Sequence, residues 1–187
     1  MPASPVLVTG AAGFVGSHLV ELLLGEGADV VGWQRPSTRP LTASPVRWQT
    51  IELLDRASVN AAIAELRPSA VYHLAGSAHV ADSWQHTRET FEGNVLATHH
   101  LFQALHHAGQ SPRVLVSGSA TVYGPSSDPL TEDSALAPAS PYATSKLAQE
   151  MVAAQAGREH GIPVLLARSF NHVGPRQTPA YVSASAL

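Results

Sequence analysis

Near its N-terminus the chain carries Val6-Leu7-Val8-Thr9-Gly10-Ala11-Ala12-Gly13-Phe14-Val15-Gly16, in which an apolar strand runs into a glycine-rich turn and then a helix. Glycine permits a tight turn and lets backbone N–H groups approach an anion closely. Because the helix begins at this turn, its dipole and its free N–H groups favour negative charge there. A glycine-rich turn can simply connect two elements, but the order strand, turn, helix predicts a site for the pyrophosphate of a dinucleotide.

Short runs rich in Val and Leu recur along the chain, and most are followed by a segment with helical character. The predicted strands are Val6–Thr9, Asp29–Trp33, Val46–Leu53, Ala70–Ala75, Arg113–Ser119 and Pro163–Ser169. The predicted helices are Phe14–Leu24, Arg56–Leu66, a long stretch that ends near Ala108, and Pro141–Arg158. Apolar strands that alternate with helices indicate a parallel sheet covered on both faces. Right-handed crossovers then give an α/β fold, a Rossmann-like doubly wound sheet, and we expect residues 1–187 to form one such domain.

The composition narrows the class of protein. The 187 residues include 11 Lys+Arg, 14 Asp+Glu and no Cys, and the formal net charge is −3. This charge argues against non-specific binding to nucleic acid or to an anionic membrane, and no run approaches the ~18 apolar residues of a membrane span. The absence of cysteine excludes a disulfide framework and fits a reducing compartment. We therefore expect a soluble, cytoplasmic protein with no nucleic-acid or membrane partner.

Two residues one helical turn apart suggest acid–base chemistry. Tyr142 and Lys146 follow Pro141 in a predicted helix, and the i, i+4 spacing puts them on one face. A phenol, with a reference pKa of about 10, is a poor base at neutral pH, but a nearby ammonium stabilises the phenolate and lowers that pKa. The pattern predicts Tyr142 as a general acid/base, although Tyr-x-x-x-Lys also occurs by chance.

The end of the second strand bears on the choice of dinucleotide. An acidic residue there accepts from the 2′-hydroxyl of NAD, whereas arginine accommodates the 2′-phosphate of NADP. This chain has Gln34 at the expected acidic position, followed by Arg35. We therefore expect NADP(H) to be preferred, with NAD(H) as the alternative cofactor; the competing interpretation is an ordinary solvated basic loop.

Together these motifs resemble the extended short-chain dehydrogenase/reductases, the NAD(P)-dependent epimerase/dehydratase family that acts on nucleotide-sugars. The resemblance rests on the Gly-x-x-Gly-x-x-Gly spacing, on Ser117-Gly118-Ser119 after the fifth strand, and on the Tyr142/Lys146 pair. It implies an enzyme in which Ser119, Tyr142 and Lys146 are catalytic. It also implies that Ser119 hydrogen-bonds the reacting sugar oxygen and that Lys146 holds the nicotinamide ribose.

The resemblance assigns the remaining site residues as well. The cofactor-binding residues that it implies are Gly10, Ala12, Gly13, Phe14, Val15, Gly16, Gln34, Arg35, Glu52, Leu53, Leu74, Ala75, Gly76, Asn94, Ser117, Tyr142 and Lys146. Asn94 could equally be a buried structural amide. In Phe170-Asn171-His172-Val173-Gly174-Pro175, Asn171 corresponds to the asparagine that meets the substrate diphosphate.

The resemblance leaves more than one reaction open. Ala120 and Thr121 stand where the 4,6-dehydratases carry acidic residues, so elimination lacks its proton-transfer groups. The segment 119–124 is similar to the sugar 4-epimerases, whereas 168–177 most resembles the GDP-4-keto-6-deoxy-mannose reductases. We favour a 4-ketoreductase of an NDP-4-keto-6-deoxyhexose, with an NAD-dependent nucleotide-sugar 4-epimerase as the alternative.

The family members carry a C-terminal substrate lobe, and this sequence stops soon after the sixth predicted strand. A truncated or absent lobe is therefore expected, and the short chain would then turn over poorly. A non-catalytic dinucleotide-binding module is the third alternative.

The family also implies a homodimer, in which the helices around 89–108 and 142–158 form a four-helix bundle across a two-fold axis. We expect Leu96, Leu101, Phe102 and Leu105 to offer its apolar surface, unless that face packs on the chain's own sheet. The paired histidines at 99–100 and 106–107 share a helical face but have no acidic partners in the sequence nearby, so we expect no metal site.

Overall fold

The computed structural model describes residues 4–178 as a six-stranded parallel sheet with helices on both faces. The strands are β1 (Val6–Thr9), β2 (Val30–Gln34), β3 (Arg47–Thr50), β4 (Ala70–His73), β5 (Arg113–Ser117) and β6 (Val164–Ala167). Their order in the sheet is β3-β2-β1-β4-β5-β6, and every neighbouring pair is parallel. The predicted Rossmann-like, doubly wound sheet is confirmed.

Five α-helices connect these strands, together with three short irregular helical turns. The α-helices are α1 (Phe14–Gly25), α2 (Arg56–Leu66), α3 (Thr87–Phe91), α4 (Ala97–His107) and α5 (Pro141–His160). The 3₁₀ turns are Asp82–Trp84 and Ala120–Val122, and a π-helical turn, Glu92–Leu96, joins α3 to α4. The long helical stretch predicted before Ala108 is therefore a succession of four pieces: a 3₁₀ turn, α3, a π-helical turn and α4.

Successive side chains of each strand point to opposite faces of the sheet, so the buried residues form one cluster on each face. Leu7 of β1 packs in the layer formed with α2, α4 and α5, whereas Val8 packs against α1 on the opposite face. Strand β6 lies at the edge of the sheet, where Leu165 and Leu166 are 53% and 38% exposed. The sheet order reverses between β1 and β4, so the crevice at the carboxyl ends of these two strands is where such a fold binds ligands.

The apolar surface expected for a dimer is not exposed, which corrects that part of the prediction. Leu101, Phe102 and Leu105 are at most 1% exposed and pack within the chain's own core. Leu96 alone of the four is substantially exposed, at 40%. An amphipathic pattern shows that one face of a helix is buried, but not whether the sheet or a second chain covers it.

Two of the paired histidines, His100 and His106, make defined contacts inside the chain. His100 is buried, with its Nδ1 2.9 Å from the carbonyl oxygen of Leu53, and His106 stacks on His160 with ring centroids 3.8 Å apart. Among residues 4–178, no three His, Asp or Glu side chains form a group that could hold a metal ion. No helix in this described part combines the length and apolar character needed to cross a bilayer.

Candidate functional site

The glycine-rich turn lies where β1 ends and α1 begins, pressed against the segment that follows β4. Gly10 has a φ of +68°, and a Cβ added there would lie 2.7 Å from the backbone nitrogen of Ala75. A Cβ on Gly16 would collide with the carbonyl oxygen of Gly10. Gly13 precedes the first turn of α1 and supplies no side-chain cap. The N–H groups of that turn therefore remain available to an anion.

The segment after β4, predicted to run past the dinucleotide, is fixed to β1 and to the π-helical turn. The backbone nitrogen of Leu74 donates to the Thr9 carbonyl at 3.2 Å, and that of Ala75 donates to Thr9 Oγ1 at 3.2 Å. Gly76 has no room for a Cβ because Asn94 Oδ1 occupies that position. Gly76 and Asn94, both predicted to bind the cofactor, are therefore packed directly against each other.

Asn94 is completely buried, and its amide is satisfied within the chain. Its Oδ1 accepts from the backbone nitrogen of Ser77 at 2.8 Å, and its Nδ2 donates to Ser145 Oγ at 2.9 Å and to the Ser77 carbonyl at 3.2 Å. The side chain thereby joins the loop after β4 to α5. Its direct effect is structural; its contact with a cofactor stays a prediction.

Ser119 lies just beyond β5 and is 7% exposed. Its Oγ accepts from the backbone nitrogen of Thr121 at 3.3 Å and lies 2.9 Å from Thr121 Oγ1. This capping bond ends the strand and starts the 3₁₀ turn, which explains why β5 stops at Ser117 and not at Ser119 as the sequence indicated. The residue reaches the carboxyl edge of the sheet, as predicted.

Tyr142 and Lys146 lie in the first two turns of α5. Pro141 opens the helix after the capping residue Ser140, whose Oγ accepts from the backbone nitrogen of Ala143 at 3.1 Å. The backbone nitrogen of Tyr142 donates to the buried Ser83 Oγ at 3.1 Å, which joins the start of α5 to the 3₁₀ turn before α3. These contacts hold the tyrosine, half-buried, at the helix N-terminus.

Lys146 is 5% exposed. Its Nζ donates to the carbonyl of Ser117 at 2.5 Å and to Gln149 Oε1 at 2.6 Å. Burial lowers the pKa of this ammonium to about 8, and the negative charge of Glu150 opposes that change. Sequence reasoning missed Gln149, because one glutamine inside a helix carries no pattern that marks it.

The residues predicted to meet the adenosine lie at the ends of β2 and β3. Gln34 pairs with Thr50 in the sheet, and its buried Oε1 has no hydrogen-bond partner among the described residues. Arg35 follows in an exposed loop. Glu52 accepts from the backbone nitrogen of Leu54 at 3.3 Å. The structure therefore brings the predicted basic and acidic residues to the same edge as the glycine-rich turn.

The segment after β6 returns across the molecule to α1. Arg176 forms two hydrogen bonds with Glu21, at 2.7 and 2.8 Å, and a third, at 2.9 Å, with His18 Nδ1. The hydrogen bonds from Arg176 and Thr42 lower the pKa of Glu21 to about 2. This contact ties the stretch that contains the exposed Asn171 to the helix of the glycine-rich turn. No sequence pattern predicts the contact between Arg176 and Glu21, because the two residues lie 155 positions apart.

An open cleft of about 510 Å³ lies beside β6, and none of the predicted catalytic residues lines it. Arg168, which does line it, donates to Tyr123 Oη at 3.0 Å and to the buried carboxylate of Glu150 at 2.9 Å. Its guanidinium also lies over the Tyr123 ring, 5.0 Å from the centroid. The Glu150 carboxylate, whose negative charge acts on Lys146, is thus already paired with Arg168.

The comparisons with known proteins agree with this geometry. Residues 6–186 match the model of the NAD dependent epimerase/dehydratase family. The chain is 39% identical over 184 residues to the GDP-6-deoxy-D-mannose reductase of Pseudomonas aeruginosa, an alignment that covers 97% of this chain and 56% of that protein. It is 36% identical over 183 residues to the UDP-glucose 4-epimerase of Azospirillum brasilense, covering 92% of this chain and 50% of the relative.

A solved structure of an epimerase also matches the fold of this chain. The crystal structure of the UDP-glucose 4-epimerase of Thermus thermophilus, a complex with NAD, matches with a TM-score of 0.88 at 32% identity, covering 96% of this chain and 59% of that one. The chain thus spans between 50% and 59% of the length of these relatives.

Proposed function

The chain belongs to the NAD dependent epimerase/dehydratase family, and on that premise we propose that residues 1–187 form the dinucleotide-binding domain of an oxidoreductase that acts on a nucleotide-sugar. The observation that carries this proposal is the buried Lys146, fixed at the end of β5 and one helical turn after Tyr142. A lysine is rarely buried in a core unless it is paired or has a function. Ser117, to which it donates, ends β5 at the same carboxyl edge of the parallel sheet as the glycine-rich turn that follows β1.

The residues present fit a dinucleotide. The first turn of α1 has no side-chain cap, so its N–H groups can meet an anion, and Gln34 Oε1 is a buried acceptor without a partner among the described residues. We propose that the glycine-rich turn binds the pyrophosphate and that Gln34 and Arg35 meet the adenosine ribose. Because Gln34 carries no negative charge and Arg35 is exposed beside it, a 2′-phosphate is accommodated and NADPH is preferred. NAD(H) is the alternative, and the solved relative described above contains NAD.

For the reaction we propose reduction of a 4-keto group on a nucleotide-activated 6-deoxyhexose. A bound nicotinamide cofactor supplies the hydride. Tyr142 donates the proton to the sugar oxygen, Ser119 hydrogen-bonds that oxygen, and the Lys146 ammonium favours the phenolate that remains. Asn171 would meet the substrate diphosphate. The reductase among the relatives, at 39% identity, supports this choice.

A nucleotide-sugar 4-epimerase is the second candidate, supported by the epimerases among the relatives. The same tyrosine would then remove a proton from the sugar hydroxyl and later return it. The two reactions differ in net redox change, because a reductase consumes one NADPH for each sugar and an epimerase consumes none.

We also propose that the protein acts as a cytoplasmic homodimer built on a four-helix bundle of the α3–α4 region and α5. Because Leu101, Phe102 and Leu105 are internal, the interface would use exposed side chains of the same helices, such as Leu96 and Met151, which are 40% and 65% exposed. Light scattering at micromolar concentration tests the assembly, and a monomer would count against it.

The decisive experiment is an activity panel. The purified protein is incubated with nucleotide-4-keto-6-deoxysugars and with UDP-glucose, each with NADPH or NADH, while absorbance at 340 nm and the sugar products are followed. With a substrate lobe joined after residue 187 we expect one NADPH to be oxidised for each keto-sugar, whereas residues 1–187 alone should bind the dinucleotide and turn over poorly. Conversion of UDP-glucose without net oxidation would select the epimerase, and tight dinucleotide binding without turnover of any sugar, even with the lobe present, would favour a binding module.

A further inference from the structure

Lys146 is the only lysine in the sequence; the other ten basic residues are arginines. An ammonium has three hydrogen-bond donors, and two of them are committed to Ser117 and Gln149. The directions of these two bonds determine where the third N–H points. Whatever fixes Gln149 therefore also fixes the lysine.

Gln149 belongs to a chain of buried hydrogen bonds that crosses the domain. Its Nε2 donates to Thr98 Oγ1 at 2.8 Å, and the Thr98 hydroxyl in turn donates to the Asn94 carbonyl at 2.6 Å. The same Thr98 oxygen lies 2.9 Å from His73 Nε2, and His73 Nδ1 lies 2.8 Å from Thr9 Oγ1. All four linked side chains, from Gln149 to Thr9, are fully buried.

The direction of each bond follows from counting hydrogens. Because the Thr98 hydroxyl gives its only hydrogen to the Asn94 carbonyl, its oxygen can only accept from its other two partners. His73 must then carry its hydrogen on Nε2, and the Thr9 hydroxyl must donate to Nδ1. Burial, together with the positive charge of Lys146, lowers the pKa of His73 to about 3. The imidazole is therefore neutral, and its tautomer is fixed.

This order leaves the Gln149 amide one orientation. A flipped amide would set its carbonyl oxygen against the lone pairs of Thr98 and its NH₂ group against the ammonium of Lys146. Both contacts would be repulsive in a buried site, where unpaired polar groups are costly.

We propose that Gln149 is a positioning residue that aims the Lys146 ammonium, and that Thr98 and His73 act through it by fixing its amide. The inference rests on the function proposed above for Lys146. The other titratable groups near the lysine are Glu150, which attracts the ammonium and is itself paired with Arg168, and His73, which is neutral. Glu150 therefore stabilises the charged ammonium of Lys146, whereas Gln149 sets the direction in which that ammonium donates its hydrogen bonds.

A single lysine makes the test direct. Protein labelled with [¹³Cε]lysine gives one lysine signal, whose titration reports the Lys146 pKa without cofactor or substrate. Gln149→Leu removes an acceptor from the charged form, so the acid dissociation constant of Lys146 should rise roughly tenfold or more. Thr98→Val should change it in the same direction although Thr98 does not hydrogen-bond Lys146, and Thr98→Ser, which keeps the hydroxyl, should restore the wild-type value.

Gln155→Leu is the matched control. Gln155 lies on the same helix, is exposed and, in the part of the chain that the structure describes, donates to Glu159, so this variant should leave the Lys146 titration unchanged. The proposal is overturned if Gln149→Leu, folded by circular dichroism, keeps the wild-type Lys146 pKa, or if Thr98→Val does so.

A wild-type measurement covers the case in which these variants do not fold. The ¹⁵N shifts of His73 should show a neutral ring protonated on Nε2 at pH 5, and the other tautomer or a charged ring would also overturn the proposal. Failure of the proposed function would show separately, as unchanged dinucleotide affinity in Lys146→Met.

Discussion

Gly10→Ala would place a methyl group where the backbone of the neighbouring segment already lies. Its Cβ would stand 2.7 Å from the nitrogen of Ala75 and 2.9 Å from the carbonyl carbon of Leu74. The φ of +68° at Gly10 costs a residue with a Cβ roughly 1–2 kcal/mol. Crowding a packed site with a methyl group costs a further ~1–3 kcal/mol. We therefore expect the free energy of unfolding to fall by about 2–5 kcal/mol.

Gly27→Ala separates the two contributions. Gly27 has a similar φ of +79°, but a Cβ added there meets no atom within 4 Å, so we expect only the roughly 1–2 kcal/mol of backbone strain. Urea unfolding followed by circular dichroism measures both variants, and fluorescence titration measures NADPH affinity. A displacement of the turn worth even ~1.4 kcal/mol weakens binding about tenfold, so Gly10→Ala should bind NADPH at least that much more weakly while Gly27→Ala binds normally. Equal stability losses, or unchanged affinity in Gly10→Ala, would refute the close approach of this turn to Ala75.

Three further predictions address chemistry, cofactor choice and acid stability. In a protein that carries a substrate lobe, Tyr142→Phe should lower sugar reduction by about 10²–10⁴-fold, since it removes the proton donor, while titration shows unchanged NADPH binding; unimpaired turnover would exclude Tyr142 as the acid. Arg35→Asp should reverse the preference from NADPH to NADH, and competition titrations that still favour NADPH would show that Arg35 is not the contact. Hydrogen bonds from Arg176 and Thr42 lower the pKa of Glu21 to about 2, so the stability from these contacts is fully present above pH ~4.5 and is lost as the pH falls through about 2. Glu21→Gln should therefore flatten the decline in stability across that range, and an unchanged acid-unfolding curve would contradict the pairing.

Local patterns carried most of the correct predictions. The glycine-rich turn and the limits of α2 could be predicted because each depends on residues next to one another in the chain. Tyr142 and Lys146 could be placed one turn apart on one face of α5, because helical geometry fixes the relation between i and i+4. Strand ends were predicted less well. Strand β5 ends two residues early because Ser119 caps a 3₁₀ turn, a local bond that competes with the sheet.

The sequence alone determined the order of strands and helices, the parallel sheet and the place of the glycine-rich turn, since apolar runs, glycine and helix-starting residues act over a few positions. Only the tertiary structure decided which buried faces meet, so the helix face with Leu101 and Leu105 proved to be core and not a dimer surface. It also decided the surroundings of Lys146. His73, Thr98 and Gln149 lie 25 and 51 residues apart along the chain, and no local pattern relates them. They become partners because packing β4, α4 and α5 together removes water, and each buried polar group must then find its hydrogen bond inside the protein.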